Sequence, residues 1–197
     1  MKKTALQRRN VVRALLRDRG RLLVVAGLGS TAWDCTAVGD SPLSFPLWGA
    51  MGNAAMIGLG LALAQPKRRV LVVTGDGEML MGLGSLATIG VQKPRNLSVV
   101  VIDNERYGET GMQATHTASG VDLAAVALAC GFASATIVRE ARELPGLRKA
   151  IHAESGPLFA QVKVVAEKLP LVLPPRDGGI LKARFRKALL GRDADLG

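Results

Sequence analysis

The chain is predicted to be an α/β protein: a doubly wound, mostly parallel sheet flanked by helices. Three observations lead there. Short apolar runs without polar alternation, such as Val70-Leu-Val-Val-Thr74 and Ser98-Val-Val-Val-Ile-Asp103, have the composition of strands buried on both faces. Stretches of helical periodicity lie between them, the alternation that produces parallel sheets. The 23 glycines follow no fixed period and mostly sit beside the apolar runs, as tight strand-to-helix turns require. At 197 residues and 48% hydrophobic, but only 4% aromatic, the chain can bury one aliphatic core.

Residues 4–18 read as an amphipathic helix, with Leu6, Val11, Val12, Leu15 and Leu16 on one side. Arg8, Arg9, Arg13 and Arg17 fall largely on the other, giving a covering helix with a solvated basic face. Strand 21–26 then leads into Gly27-Leu-Gly-Ser-Thr-Ala32, which matches the dinucleotide fingerprint G-x-G-x-x-A. A dinucleotide unit needs a helix of some three turns after the glycines and then a strand ending in an acidic residue. Gly39, Pro42 and Pro46 fall where these should be, and no apolar strand precedes Asp40, so a nicotinamide site is not expected. As a turn, the same residues offer backbone N–H groups and the Ser30 and Thr31 hydroxyls to a phosphate.

Residues 41–48 read as irregular. A helix over 53–65 follows, ended by Pro66 and the positive charges of Lys67, Arg68 and Arg69. After strand 70–74, residues 81–91 read as one helix packed through Gly82, Gly84 and Ser85, stopped by Pro94. Strand 98–103 precedes a polar, glycine-rich stretch, 105–120, with the composition of a functional loop. Helix 121–130, strand 134–138, helix 140–154 and strand 158–165 complete the alternation, and a basic helix over 180–190 closes the chain. The organisation expected is a basic N-terminal helix (1–20), a binding domain (21–169) and a basic, helical C-terminal tail (170–197). There are no internal repeats.

The formal charge of +10 belongs to the two ends: residues 1–21 contribute +7 and residues 176–197 contribute +3, leaving the body neutral. Nucleic-acid binding is therefore not expected. Two cysteines, Cys35 and Cys130, are too few for a disulfide framework or a zinc set, which points to the cytoplasm. No stretch has the roughly 20 unbroken apolar residues of a membrane span, and arginines interrupt any leader-like apolar core at the start.

The chemistry concentrates between Gly75 and Asn104. Asp76 and Asn104 each lie just past the end of a buried strand, where ligands collect in parallel sheets. Magnesium takes hard oxygen ligands and shares them with substrate phosphates, so one carboxylate, one amide oxygen and a loop carbonyl make a plausible protein half-shell. Gly75 and Gly77 let the backbone approach closely and offer N–H groups to an anion.

Twenty-six residues separate Gly77 from Asn104. This GDG-to-Asn spacing, within VTGDGEMLMGLGSLATIG and IDNERYGETGMQATHT, resembles the thiamine-diphosphate motif of the thiamine-dependent decarboxylase and acetolactate-synthase superfamily. The resemblance covers roughly residues 20–165, the superfamily's diphosphate-binding domain, and with GVDLAAVALACG it is nearest to sulfopyruvate decarboxylase beta subunits and phosphonopyruvate decarboxylases. It implies a thiamine-diphosphate-binding fold in which Asp76, Asn104 and the carbonyl of Arg106 hold magnesium. Gly77, Glu78, Tyr107 and Gly108 would meet the diphosphate through their main chain, beside Gly75. Glu78 departs from the small polar residue common there, so only its backbone N–H is counted. Gly49-Ala-Met-Gly52 matches the loop that cradles the aminopyrimidine, with the Gly49 carbonyl as acceptor, Ala50 beside it, and Met51 propping the cofactor into its bent shape. His116, in the polar loop, is the candidate proton donor or oxyanion contact to substrate.

Thiamine catalysis also needs a glutamate against the aminopyrimidine. In this superfamily it comes from a separate pyrimidine-binding domain, for which this chain has no room. The resemblance thus implies a beta-type subunit of a 2-oxo acid decarboxylase, inactive without an alpha-type partner. A carboligase subunit of acetolactate-synthase type and a non-catalytic regulatory subunit are the alternatives.

Overall fold

The structure is a computed structural model and describes residues 5–153 and 155–195. In chain order the helices and strands are α1 (Arg8–Leu16), β1 (Leu23–Ala26), α2 (Ser30–Val38), β2 (Ser44–Pro46), α3 (Ala54–Ala64), β3 (Val70–Gly75), α4 (Asp76–Met81), α5 (Ser85–Gln92), β4 (Leu97–Asp103), β5 (Arg106–Tyr107), β6 (Gln113–Ala114), α6 (Leu123–Ala129), β7 (Ser134–Val138), α7 (Leu144–His152), β8 (Leu158–Lys163) and α8 (Gly178–Leu190). Six strands form one sheet in the order β2-β1-β3-β4-β8-β7, every pair parallel. β5 and β6 form a separate antiparallel pair.

The continuous apolar runs are explained by what covers them. Successive side chains of a strand point to opposite faces, and both faces are dry here. Val24, Ala26, Leu71, Val73, Val100 and Ile102 face a layer built by α1, α2 and α7. Leu23, Val25, Val70, Val72, Val99 and Val101 face a layer built by α3, α5, α6 and α8. The four phenylalanines lie on this second side, where Phe132 meets Phe159 edge-on at 5.8 Å and Phe45 meets Phe185 at 5.5 Å, while Trp33 packs on the first.

Several local expectations are corrected. The segment after Gly27 is a nine-residue helix, α2, ended by Gly39 at φ +146. Residues 44–46 are a strand, not irregular chain. β2 is a three-residue sheet edge, paired to β1 alone, and its terminal Pro46 leaves no central ladder hydrogen bond unmade. A helix and then a strand therefore do follow the glycine turn, yet β2 ends in Pro46 and no acidic residue, so the dinucleotide reading still fails.

The helix expected over 81–91 begins only at Ser85, as α5, and a separate short helix, α4, precedes it over Asp76–Met81. A Cβ on Gly82 would collide with the Gly52 carbonyl, so the chain breaks at Gly82–Gly84 to let the two backbones touch. The 105–120 stretch contains the β5–β6 hairpin and a 3-10 turn at His116–Ser119. The helix expected over 140–154 begins with a capping box between Glu140 and Glu143, and α7 proper runs only to His152; Glu154 lies outside the described residues. Residues 1–4 of the expected basic helix also lie outside them.

Both chain ends are fastened to this body. Val165 N–H donates to Leu6 O at 2.9 Å, Trp48 Nε1 to Pro175 O at 2.8 Å, and Arg184 holds Asp40 through two bonds of 2.5 and 3.1 Å. The basic face of α1 is not fully solvated: Arg8 is 7% exposed, and Arg9 bonds Asp34 at 2.8 Å.

Candidate functional site

β1 lies between β2 and β3, so the chain leaves β1 in one direction along the sheet and returns to β3 in the other. Such a reversal opens a crevice beyond the carboxyl ends of the strands. A cavity of about 210 Å³ lies there, lined by the loop after β1, by Gly75 to Glu78 after β3, and by Asn104 to Thr110 after β4. Of the residues expected from sequence, Ser30, Met51, Gly75, Asp76, Gly77, Glu78, Asn104, Arg106, Tyr107 and Gly108 line it. Thr31, Gly49, Ala50 and His116 do not.

Asp76 is the hub. It begins α4, is only 2% exposed, and its Oδ2 accepts the Thr115 hydroxyl at 2.6 Å, with the Thr117 hydroxyl at 3.3 Å. The same Thr117 hydroxyl donates to Asp103 Oδ1 at 2.8 Å. Asp103 is fully buried but balanced: Gln161 Nε2 and Lys163 Nζ reach its Oδ2 at 2.5 and 2.9 Å. Lys163 also pairs with Glu105 at 2.5 Å, and although burial opposes its charge, these two acidic contacts hold its pKa above the ordinary value. Asp76 has no such cation among its contacts with the described residues. Burial pushes its carboxyl up to about 6, and the nearby Asp103 charge adds to this while the threonine hydroxyls oppose it.

The sequence Asp103-Asn-Glu-Arg106 explains the next wall. Asp103 Oδ1 accepts the Glu105 N–H at 3.0 Å and Asn104 Oδ1 accepts the Arg106 N–H at 3.0 Å, two consecutive Asx turns. They bend the chain so tightly that Glu105 sits at φ +62, a conformation that costs a non-glycine residue about 1–2 kcal/mol. The Asn104 amide oxygen retains a second lone pair. On the facing side, a Cβ on Gly77 would lie 2.5 Å from Tyr107 Cε1, so this glycine is what allows the hairpin to close over α4.

Glu78 is 4% exposed and its Oε2 accepts the Thr74 hydroxyl at 2.7 Å. Burial raises its pKa, against Thr74 and the backbone N–H groups of Gly52, Ala54 and Leu28, which favour the charge. Its carboxylate is thus tied into the wall, next to the loop that carries Met51. Among the described residues Oε1 has no hydrogen-bond partner. Met51 is 37% exposed at the cavity margin, and Ala50 before it stands at φ +58.

Two expected contacts are redirected. The Thr31 hydroxyl donates to Gly27 O at 2.7 Å, completing the first turn of α2 instead of facing a ligand. His116 is exposed, while the threonines on both sides of it are buried against Asp76; the 3-10 turn takes the hydroxyls in and leaves the imidazole outside the cavity. Sequence reasoning missed Thr115, Thr117, Asp103, Lys163 and Arg8. Asp103 was legible in principle, as the acid immediately before Asn104; the others carry no local signal.

The donor set suits a hard cation. Both threonine contacts fall on one Asp76 oxygen and the carboxylate keeps a second. No group of three His, Cys, Asp or Glu among the described residues is placed to hold a metal. One carboxylate with amide and carbonyl oxygens fits magnesium, which completes its shell with phosphate and water. The cavity, about 210 Å³, is smaller than the roughly 300–1,000 Å³ of pockets that enclose a drug-sized ligand.

The family profile described as "Thiamine pyrophosphate enzyme, C-terminal TPP binding domain" matches residues 30–162. The chain is 40% identical over 173 residues to the sulfopyruvate decarboxylase subunit beta of Methanothermobacter thermautotrophicus, covering 88% of this chain and 90% of that one. It is 40% identical over 141 residues to the phosphonopyruvate decarboxylase of Streptomyces viridochromogenes, covering 72% of this chain and 35% of that protein. Among solved structures, a candidate thiamin diphosphate-dependent enzyme from Mycobacterium smegmatis superposes with a TM-score of 0.70 at 22% identity, over 84% of this chain and 33% of that one, a likeness of fold.

Proposed function

Because the chain belongs to the thiamine pyrophosphate enzymes, through their C-terminal cofactor-binding domain, we propose that it is the beta-type subunit of a thiamine-diphosphate-dependent 2-oxo acid decarboxylase. The observation that carries the site assignment is Asp76: a carboxylate 2% exposed, met among the described residues by hydroxyls and by no cation, in the wall of a glycine-lined cavity. A buried charge of this kind is costly until a counter-ion arrives. Magnesium is that ion in this reading, held by Asp76, the Asn104 amide oxygen and the Arg106 carbonyl. Gly77, Glu78, Tyr107 and Gly108 would meet the diphosphate through backbone N–H groups, with Ser30 beside them. Met51 and the Gly49–Gly52 loop support the aminopyrimidine.

When bound, thiamine diphosphate supplies the electron sink that lets carbon dioxide leave a 2-oxo acid. The work of this chain is to anchor and orient. Thr115 and Thr117 fix the Asp76 carboxylate, Thr74 fixes Glu78 under the Met51 loop, and the Gly77–Tyr107 contact closes the hairpin against water. The anionic substrates of the relatives, a sulfonate and a phosphonate of pyruvate, are the class to test. The glutamate that activates the cofactor would come from an alpha-type partner. No helix among the described residues is long and apolar enough to cross a membrane, and Cys35 and Cys130 are both free thiols, which suits a reducing cytoplasm.

The test is reconstitution. Co-purified with a pyrimidine-domain chain, the protein should release carbon dioxide and an aldehyde from sulfopyruvate or phosphonopyruvate, only with thiamine diphosphate present, and the isolated chain should be silent. Turnover without the cofactor overturns the reading. Acetolactate as the product from pyruvate alone would instead make it a carboligase subunit.

A further inference from the structure

Arg8 is the unexpected member of the cavity lining. It comes from α1, outside the sheet, and is 7% exposed where a solvated arginine was expected. Its Nε lies 3.2 Å from Asp34 Oδ2 but makes no hydrogen bond. Arg9 Nε takes the other oxygen of Asp34 at 2.8 Å. Two guanidiniums therefore divide one carboxylate that is itself 1% exposed. Glu167 Oε1 accepts the Arg8 backbone N–H at 3.2 Å, so a second carboxylate lies beside this cluster, yet among the described residues none accepts a hydrogen bond from Arg8 Nε, and a buried donor without an acceptor calls for a partner.

A second observation points the same way. α2 begins at Ser30 behind Gly29, with no side chain capping its first turn, and Ser30 lines the same cavity as Arg8. The uncapped N–H groups of a nine-residue helix favour an anion. The other acidic side chain in this part of the lining, Glu109, is exposed on the hairpin and packs on Gly29. The residues assigned above to the diphosphate, Gly77, Tyr107 and Gly108, line this one cavity too.

We propose that Arg8 binds the diphosphate of the cofactor beside the N-terminus of α2, already assigned to it through Ser30, so that the N-terminal helix is part of the cofactor site and Asp34 is the residue that positions its guanidinium. The inference rests on the cofactor reading given above. Magnesium neutralises two charges of the diphosphate and Arg8 takes up the remainder. A planar guanidinium can meet a phosphate through two parallel bonds, which an ammonium cannot.

The experiment is calorimetric titration of the full-length chain, co-purified with the pyrimidine-domain chain, with magnesium diphosphate, thiamine diphosphate, unphosphorylated thiamine and methanesulfonate. Arg8→Gln should weaken both diphosphates by about tenfold or more and leave thiamine unchanged. Arg8→Lys, which keeps charge and most of the packing, should show a smaller loss of the same pattern. An Arg8→Gln chain with native circular dichroism that binds magnesium diphosphate within twofold of wild type overturns the proposal. If Arg8→Gln does not fold, an Arg8→Lys chain indistinguishable from wild type overturns it. Selective loss of methanesulfonate binding would move Arg8 to the substrate and likewise reject it. Failure of the wild-type chain itself to bind magnesium diphosphate would reject the cofactor reading with it.

Discussion

The carboxylates of Asp76 and Asp103 share one hydroxyl: Thr117 Oγ1 lies 2.8 Å from Asp103 Oδ1 and 3.3 Å from Asp76 Oδ2. The two acids differ in what else they meet. Asp103 has Lys163 and Gln161, whereas the side chains that bond Asp76 among the described residues are the two threonines. One is a structural ion pair, and the other is the carboxylate proposed to hold magnesium.

Asp76→Asn separates these roles. The variant keeps the volume and loses the charge, so magnesium-dependent retention of thiamine diphosphate through gel filtration should disappear. In metal-free buffer near pH 8 it should unfold no more easily than wild type, and be more stable by about 1–3 kcal/mol, because burial raises the Asp76 pKa to about 6 and ionisation is therefore a cost to the fold. Undiminished cofactor retention would rule out the proposed metal site.

Thr117→Val should act in the opposite sense on stability. It removes the donor shared by two buried acids and should cost about 1–3 kcal/mol in urea unfolding. Thr117→Ser restores the hydroxyl and should recover most of the loss. Equal stability of the valine and serine variants would show that the methyl packing, not the hydrogen bond, matters at this position.

At Gly77 the constraint is space. An added Cβ would lie 2.5 Å from Tyr107 Cε1, and Tyr107 is only half-buried, so its ring can swing aside. Gly77→Ala should therefore melt close to wild type while binding magnesium and thiamine diphosphate about tenfold more weakly, the factor corresponding to about 1.4 kcal/mol. Adding Tyr107→Ala should make the second effect less than additive; strict additivity would show that the two residues act independently.

Cys35 gives the pH dependence. Burial pushes its thiol up to about 12 from an ordinary 9.0. Between those values the unfolded chain loses the thiol proton and the folded chain keeps it, so stability present below pH 9 should fall by up to about 1.4 kcal/mol per unit as pH rises. In Cys35→Ala this part of the slope should vanish, as measured by urea unfolding at pH 8, 9 and 10. With a thiol reagent at pH 8, half-buried Cys130 should label in the native protein and Cys35 only after unfolding.

Much of the site was legible because it is local. The buried strands announce themselves as valine runs, since a strand covered on both faces tolerates no polar alternation. Asp76 and Asn104 stand directly at strand ends, and the glycines beside Asp76 mark where backbone must approach a neighbour. The same reasoning missed α2 and β2, because a small edge strand and a helix without a clear apolar stripe carry little periodicity; α2 is recognisable only once its Thr31, Ala32 and Cys35 are seen buried against the sheet. It began α5 at Met81 and not at Ser85, because nothing near Gly82 in sequence reveals that Gly52 presses against it.

Sequence alone determined the alternating α/β order, the pair Asp76 and Asn104 at neighbouring strand ends, and the family to which those motifs belong. Each is set by side-chain period or by chain turns of a few residues. Tertiary structure alone decided that Thr115 and Thr117 turn inward and His116 outward, that Glu78 is tied to Thr74 in the wall, and that Arg8 reaches the cavity from α1 to divide Asp34 with Arg9. Those arrangements join residues tens of positions apart. What selects them is the cost of leaving a buried polar group without a partner, and that cost does not exist until the chain has closed around it.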